Sequence, residues 1–431
     1  MRSVWGFQMG RVSRRAFALA ALSGLAVVKG SAAAPHGPRA AATQGPRAAA
    51  GRGPRAVTEM RGVWVATVKN RDWPSRTGLS ADEQRKELMA HLDRAARDRL
   101  NTVIFQVRPT ADALWPSPYE PWSEYLTGTQ GLSPGWDPLG TAVTEAHARG
   151  LQLHAWFNPY RIADHGEPEK LVASHPARRH PDWAVPYGGR LYYNPGLPEV
   201  RAFVQDAMLD AVARYPVDAV HFDDYFYPYP VAGQAFDDDA AFDRYGGGFA
   251  NRAAWRRDNV DRLMREIGAR IKRIRPGTQF GVSPFGVWRN ARNDPLGSDT
   301  RAGVQTYDDL HADTRTWVRE NWIDYIAPQV YWHLGFADAD YAELVPWWAE
   351  VAKGSKTKLY VGEALYKAGA AGQPSAWRDP VELSRHLTFA AAYPEVRGHV
   401  FFSAREVATD PAGAMARVIA DHYLQPASPP R

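Results

Sequence analysis

The 431-residue chain contains no cysteine. That absence removes thiol nucleophiles, disulfide frameworks and cysteine-held zinc from consideration. Acidic residues are missing from the first 56 positions, which nevertheless hold nine of the 52 Lys and Arg. Residues 57–431 therefore carry 43 basic against 47 acidic side chains, and that body offers no electrostatic reason to expect nucleic acid or an anionic membrane as partner. The apolar run 18–28 falls short of the roughly 20 residues a membrane helix needs, so no transmembrane anchor is expected. No Gly-x-Gly-x-x-Gly follows the first strand-like run and no Gly-x-Ser-x-Gly occurs, which leaves a dinucleotide cofactor and a serine nucleophile without support. His154, His221 and His333 lie on separate runs and lack the short His-x-His or His-x-x-x-His spacing of a metal site. No cofactor or metal is expected, and no protein partner is indicated.

Two features are abundant instead. Ser13-Arg14-Arg15-Ala16-Phe17, the short apolar run and the small residues Ser31 to Ala34 read as a twin-arginine signal peptide over 1–34, which predicts a secreted, extracellular or cell-envelope location. That route carries folded proteins and suits a chain without cysteine. Gly-Pro-Arg-Ala then recurs at 37–40, 45–48 and 53–56, so 35–57 reads as a disordered linker that cannot build a core. Sixteen Trp and nineteen Tyr exceed what a core of this size usually needs and suit stacking on sugar rings.

From Arg61 onward one phrase repeats: a short apolar or aromatic run, a loop rich in Pro, Trp, Asn or Asp, and a charged amphipathic stretch. The strand-like runs are 62–67, 102–109, 153–160, 219–225, 280–287, 325–332, 359–366 and 398–403. Ser80-Ala-Asp-Glu83 resembles a capping box, Asp137-Pro138 opens a second helix, and a third runs from Asn251 to Arg275 before Pro276. Eight such units predict an α/β fold of the (β/α)8 TIM-barrel type over 58–425, with 426–431 a disordered tail.

In such a barrel the chemistry gathers where the strands end. The runs deliver Trp64, Gln106, Arg108, Asp112, Trp156, Asn158, Tyr160, Arg161, His221, Tyr225, Trp288, Gln329, Tyr331 and Trp332 there as substrate-binding candidates. Asp223, Asp224 and Glu363 are the catalytic candidates. While a strand lasts, neighbouring side chains alternate, so Asp223 is expected to point inward with His221 and Tyr225, and Asp224 to sit at the strand's end. Glycoside hydrolysis normally uses two carboxyl groups, about 5–5.5 Å apart for retention or about 6.5–9.5 Å for inversion. Asp224, Glu363, Asp112, Glu120 and Glu124 all remain open as the second.

Long ordered phrases then carry a resemblance. Met60-Arg-Gly-Val-Trp-Val-Ala-Thr67, Phe105-Gln-Val-Arg-Pro109, His154-Ala-Trp-Phe-Asn-Pro-Tyr-Arg161, His221-Phe-Asp-Asp-Tyr-Phe-Tyr-Pro228, Gly281-Val-Ser-Pro-Phe-Gly-Val-Trp-Arg-Asn290 and Ile326-Ala-Pro-Gln-Val-Tyr-Trp332 are similar to the glycosyl-hydrolase-like family ten, also called domain of unknown function 187. The resemblance spans about 59–370 and implies a glycosidase barrel that is secreted or envelope-associated. Relatives resemble divisome-associated enzymes that cut peptidoglycan glycan strands after amidases have removed the stem peptides. The motif includes both Asp223 and Asp224, whereas relatives often carry an uncharged residue where Glu363 stands. An N-acetyl sugar could supply its own acetamido oxygen as nucleophile. A non-catalytic glycan-binding barrel and a hydrolase of an environmental polysaccharide are the alternative expectations.

Overall fold

Alternation of strand and helix in the sequence becomes a closed parallel barrel of eight strands in chain order. The computed structural model describes residues 57–430; the segments read from the sequence as signal peptide and linker lie, up to position 56, outside the described residues. The strands are β1 (Met60–Val65), β2 (Thr102–Arg108), β3 (Gln152–Phe157), β4 (Ala219–Phe222), β5 (Gln279–Val282), β6 (Tyr325–Ile326), β7 (Lys358–Glu363) and β8 (Val396–Phe401). The main helices packed outside them are α1 (Ala81–Arg97), α2 (Pro138–Ala148), α3 (Pro198–Arg214), α4 (Arg252–Ile274), α5 (Thr314–Arg319), α6 (Tyr341–Ala352), α7 (Glu382–Ala390) and α8 (Ala414–His422). The expected (β/α)8 architecture is the one observed.

Local chemistry explains where elements start and stop. Ser80 accepts from the Glu83 amide while the Glu83 carboxylate accepts from the Ser80 amide, so the capping box opens α1. Asp137 and Asn251 cap α2 and α4 through the amides of Gly140 and Ala254. Two strand-like runs outlast their strands by the most: 280–287 keeps only β5 and 325–332 only β6. Pro284 and Pro328 have no N–H to give the ladder, so pairing stops just before each and the chain turns into the mouth.

Period-two alternation sorts the side chains into two layers. Met60, Trp64, Ile104, Trp156, Tyr325, Tyr360 and Val400 fill the barrel, while Val63, Phe105, Leu153, Phe222, Phe280 and Ile326 face the helices. Each large apolar side chain so buried contributes about 1.5–3 kcal/mol. Gly281 makes room inside: a Cβ there would meet the Tyr325 ring at 2.1 Å.

Two segments depart from the sequence expectation. After β3 a three-stranded antiparallel sheet intervenes, formed by Arg161–Ala163, Ala184–Tyr187 and Arg190–Tyr193. Gly188 and Gly189, at φ 59° and 73°, supply the two-residue turn that joins its last two strands. The tail expected to be disordered from 426 is instead held by pairing of Ala427–Ser428 with Val57–Thr58. The cause is Arg61, 1% exposed, which must find acceptors and takes the Gln425 carbonyl at 2.7 Å as well as the Glu59 carboxylate. Asn101 adds a bond to the Ala427 carbonyl. Among the described residues no helix is long and apolar enough to cross a membrane.

Candidate active site

Just below the C-terminal mouth, the barrel interior carries a chain of polar groups. The Trp64 indole N–H donates to His221 Nε2 at 3.2 Å, which makes that nitrogen an acceptor and puts the ring proton on Nδ1. His221 Nδ1 and His154 Nδ1 both lie 2.9 Å from the Tyr325 hydroxyl, and the Ser283 hydroxyl lies 2.8 Å from His221 Nε2. Burial pushes His154 down to about 4 and His221 well below its ordinary range, so both rings are neutral. His221 and Trp64 thus build the floor of the site with their polar atoms already engaged. His333 stands apart in the loop after β6, its Nδ1 on the Leu334 carbonyl.

Above that floor, β4 ends at Phe222, strand alternation ends with it, and both following aspartates stay at the mouth. Asp223 is 3% exposed and is clamped: Trp156 Nε1 donates to it at 3.0 Å and Asn158 Nδ2 reaches both oxygens at 3.1 Å. The Arg161 amide donates to Asn158 Oδ1, which orients the Asn158 amide so that its NH2 faces Asp223. Burial raises the Asp223 carboxyl, opposed by the Arg161 charge and by the Trp156 and Asn158 bonds. Asp224, 7% exposed, receives the Tyr229 hydroxyl on Oδ2. Burial first and the neighbouring Asp223 second push Asp224 up to about 7. Raised this far, Asp224 still carries a proton in a good share of molecules near neutrality, an arrangement suited to donating that proton to a leaving group.

Half-buried aromatics flank the pair. Tyr225 and Tyr229 lie 5.5 Å apart, Tyr229 and Phe285 6.2 Å, and Phe285 and Trp332 5.4 Å between ring centroids. A second group joins Tyr331 to Tyr366 at 5.7 Å and to Phe402 at 6.3 Å. Gln329, which donates to the Ser283 carbonyl at 2.8 Å, also bonds Asp224. The Arg161 guanidinium donates to the Pro109 carbonyl and covers the Tyr225 ring at 5.0 Å. Asp223, Asp224, Trp156, Asn158, Arg161, Tyr225, Gln329, Tyr331 and Trp332 are thereby brought together. Phe285 and Tyr366, from the last residues of the runs 280–287 and 359–366, join the site as well; Tyr229 is an addition that strand-end sampling did not single out, because it stands on the loop beyond β4.

Other candidates are placed elsewhere. Glu363 points from β7 into the helix layer, where Tyr341, His386 and His399 hold it at 2.8 to 2.9 Å. Its neighbour Gly362 takes the inward position, beside Trp64. Arg108 pairs with Glu120 at 2.6 Å, both side chains fully buried, and supports the Pro159 carbonyl beneath the Asn158 loop. Asp112, raised by burial to about 6, bonds the amide and hydroxyl of Thr110. Gln106 Oε1 accepts from the amides of Thr67 and Val68 and shapes the end of β1. Tyr160 is buried in the outer core. Trp288 donates to Asp313 and stacks on Trp347 of α6 at 6.0 Å.

Known proteins resemble this chain in sequence and in fold. The family described as Glycosyl hydrolase-like 10 matches residues 59–379. Glycosyl hydrolase YngK of Bacillus subtilis is 49% identical over 375 residues, covering 86% of this chain and 73% of its own. Glycosyl hydrolase DigH of Escherichia coli K12 is 43% identical over 366 residues, covering 80% and 82%. Among solved structures, the glycoside hydrolase domain of PgaB (BpsB) from Bordetella bronchiseptica shares the fold, with a TM-score of 0.54 at 13% identity over 84% of this chain and 99% of that one. The catalytic domain of a Paenibacillus polymyxa β-amylase does so with a TM-score of 0.51 at 10% identity over 85% and 99%. The chain belongs to the Glycosyl hydrolase-like 10 family and is a glycoside hydrolase.

Proposed function

We propose that this glycoside hydrolase is exported by the twin-arginine route and cuts peptidoglycan glycan strands that have lost their stem peptides. The observation that carries the chemistry is the asymmetry of two adjacent carboxyls: Asp223 is clamped by Trp156 and Asn158, and Asp224 is raised to about 7 by burial and by Asp223 although Tyr229, Gln329 and its own backbone amide bond it. Asp224 is the general acid that protonates the glycosidic oxygen. Asp223 does not share a site with Glu363, Asp112 or Glu120, all of which are engaged elsewhere, nor with Glu124, which lies exposed in the first turn of the helix Glu124–Thr127. The acetamido oxygen of an N-acetylhexosamine therefore serves as nucleophile, and Asp223 orients that group and stabilises the charge that develops on it. A cell-wall polymer of N-acetylated sugars supplies that oxygen. Export rests on the signal residues Ser13 to Phe17, which lie outside the described residues.

Mass spectrometry of products tests the reading. Purified 57–431 is expected to release sugar fragments from peptide-stripped glycans and none from intact sacculi, with Asp224→Asn reducing release about 10²–10⁴-fold at an unchanged melting temperature. Undiminished release by that variant would overturn the assignment of the acid, and release from intact sacculi alone would overturn the substrate.

A further inference from the structure

A charged cluster stands on the Tyr225 side of the mouth and takes no part in the acid chemistry. Asp164 follows the strand Arg161–Ala163 and lies 3.4 Å from Lys69 Nζ and 3.0 Å from Arg190 Nε. It also accepts the Tyr125 hydroxyl at 3.1 Å. Burial would raise Asp164, but the charges of Arg161, Lys69 and Arg190 hold it below the ordinary carboxylate range. Its side chain is 12% exposed, whereas those of Lys69 and Arg190 are 42% and 31% exposed. The anion is covered and the cations are the exposed members of the cluster.

Backbone geometry holds Lys69 in place. Lys69 and Asn70 both take left-handed conformations, at φ 54° and 52°, which side chains other than glycine rarely adopt. Asn70 Nδ2 secures the turn by donating to the carbonyls of Pro74 and Tyr125. Such strain persists only where surrounding contacts enforce it, and it is concentrated at functional sites. Arg190 arrives from the opposite direction, next to the Gly188-Gly189 turn. Both Arg161 and Arg190 bear electrostatically on Tyr225, which joins the cluster to the catalytic pair.

Charge balance gives the cluster its meaning. Arg161 faces Asp223 as well as Asp164, whereas Lys69 and Arg190 both pair with the one carboxylate of Asp164, two cations against one anion, which leaves one positive charge over. Arg161 is committed to the Pro109 carbonyl and the Tyr225 ring, so the surplus falls on Lys69 and Arg190. A neutral glycan would leave that charge unanswered. One carboxylate on the sugar bound there would match it.

We propose that Lys69 and Arg190 form a carboxylate-binding subsite beside the catalytic pair, which takes the free lactyl carboxylate of an N-acetylmuramic acid residue. The inference rests on the substrate proposed above and adds the reason for its selectivity. A residue that still carries its stem peptide presents a neutral, bulky amide where this subsite needs a small anion. Loss of the peptide creates the anion, and charge-assisted hydrogen bonds then hold the sugar.

Binding to the full 57–431 segment carrying Asp224→Asn tests the subsite without relying on cleavage. The probes are peptide-stripped glycan oligosaccharides, the same oligosaccharides with their carboxylates converted to methylamides, and oligosaccharides of alternating N-acetylglucosamine and glucuronic acid. Calorimetry is expected to show about tenfold weaker binding of the methylamide form, with the difference shrinking as salt is raised. Adding Lys69→Gln and Arg190→Gln is expected to bring the ratio below about twofold. Equal binding of the first two probes, binding of neither, or a ratio that survives the double substitution would each overturn the proposal. Tighter binding of the glucuronate probe would overturn the muramic assignment. The comparison of probes needs no folded double variant, and cleavage by the unsubstituted protein tests the substrate separately.

Discussion

Burial beside Asp223 raises Asp224 to about 7, and the alkaline limb of the pH profile should report its proton. An acid works only while protonated, so kcat/KM is expected to fall as pH rises through about 7. The Tyr229 hydroxyl favours the ionised form of Asp224 by donating to it. Tyr229→Phe is therefore expected to move the alkaline limb to higher pH, by about half a unit to one unit. Asp223→Asn removes the neighbouring negative charge and should move the limb the other way while activity falls. Rate profiles of the two variants with opposite displacements would establish the coupling; profiles that superimpose on the parent would remove Asp224 from the role of acid.

At the level of elements, Glu363 joins β7, β8, α6 and α7 through Tyr341, His386 and His399. Burial alone would raise it, yet the two histidines bring it down to about 2. A depressed carboxyl stabilises the fold fully above its ordinary value of 4.5, and that contribution is lost as pH falls toward 2. By the shift, its size is on the order of 3 kcal/mol. His386 is raised above 6.5 by the carboxylates of Glu363 and Glu382 despite its burial. Its share is complete below 6.5 and fades as pH climbs through the raised value. Thermal stability should therefore peak between about pH 5 and 6.5. Glu363→Gln is expected to cost about 3–5 kcal/mol by removing the buried carboxylate that His386 and His399 share, and to flatten the acid side of the stability curve. Calorimetry across pH measures both effects. A loss of glycan cleavage by about a thousandfold in molecules that remain folded would return Glu363 to the catalytic set.

Across the whole molecule, the two ends of the barrel do different work. The mouth holds the aspartate pair, while the opposite rim is closed by Arg61, which lies under the Tyr423 ring at 4.2 Å and bonds the Gln425 carbonyl. Removing 424–431 strips that acceptor and the partner of Val57–Thr58. The loss of charge-assisted bonds to a buried guanidinium is expected to cost on the order of 2–3 kcal/mol. Truncation should lower the melting temperature and leave the pattern of released fragments unchanged, since the site lies at the far end of the strands. Altered fragments from the truncated protein would show that the two ends communicate.

The amino-acid sequence by itself determined the eightfold alternation, the capped starts of α1, α2 and α4, and the arrival of Asp223 and Asp224 at the end of β4. Those features are local: periodicity, caps and strand ends act over a few residues and survive any long-range arrangement. Tertiary structure alone decided that Glu363 faces the helices, that Arg108 belongs to Glu120, and that Trp288 packs on α6. It also decided that both aspartates share the mouth, since the ladder ends at Phe222 and the parity rule ends with it. Tyr229 reached Asp224, and Lys69 reached Asp164 from 95 positions away, through loops whose paths no periodicity encodes. The direction of a side chain on a strand is a matter of register, and the company it keeps on a loop is a matter of what the rest of the chain folds against it.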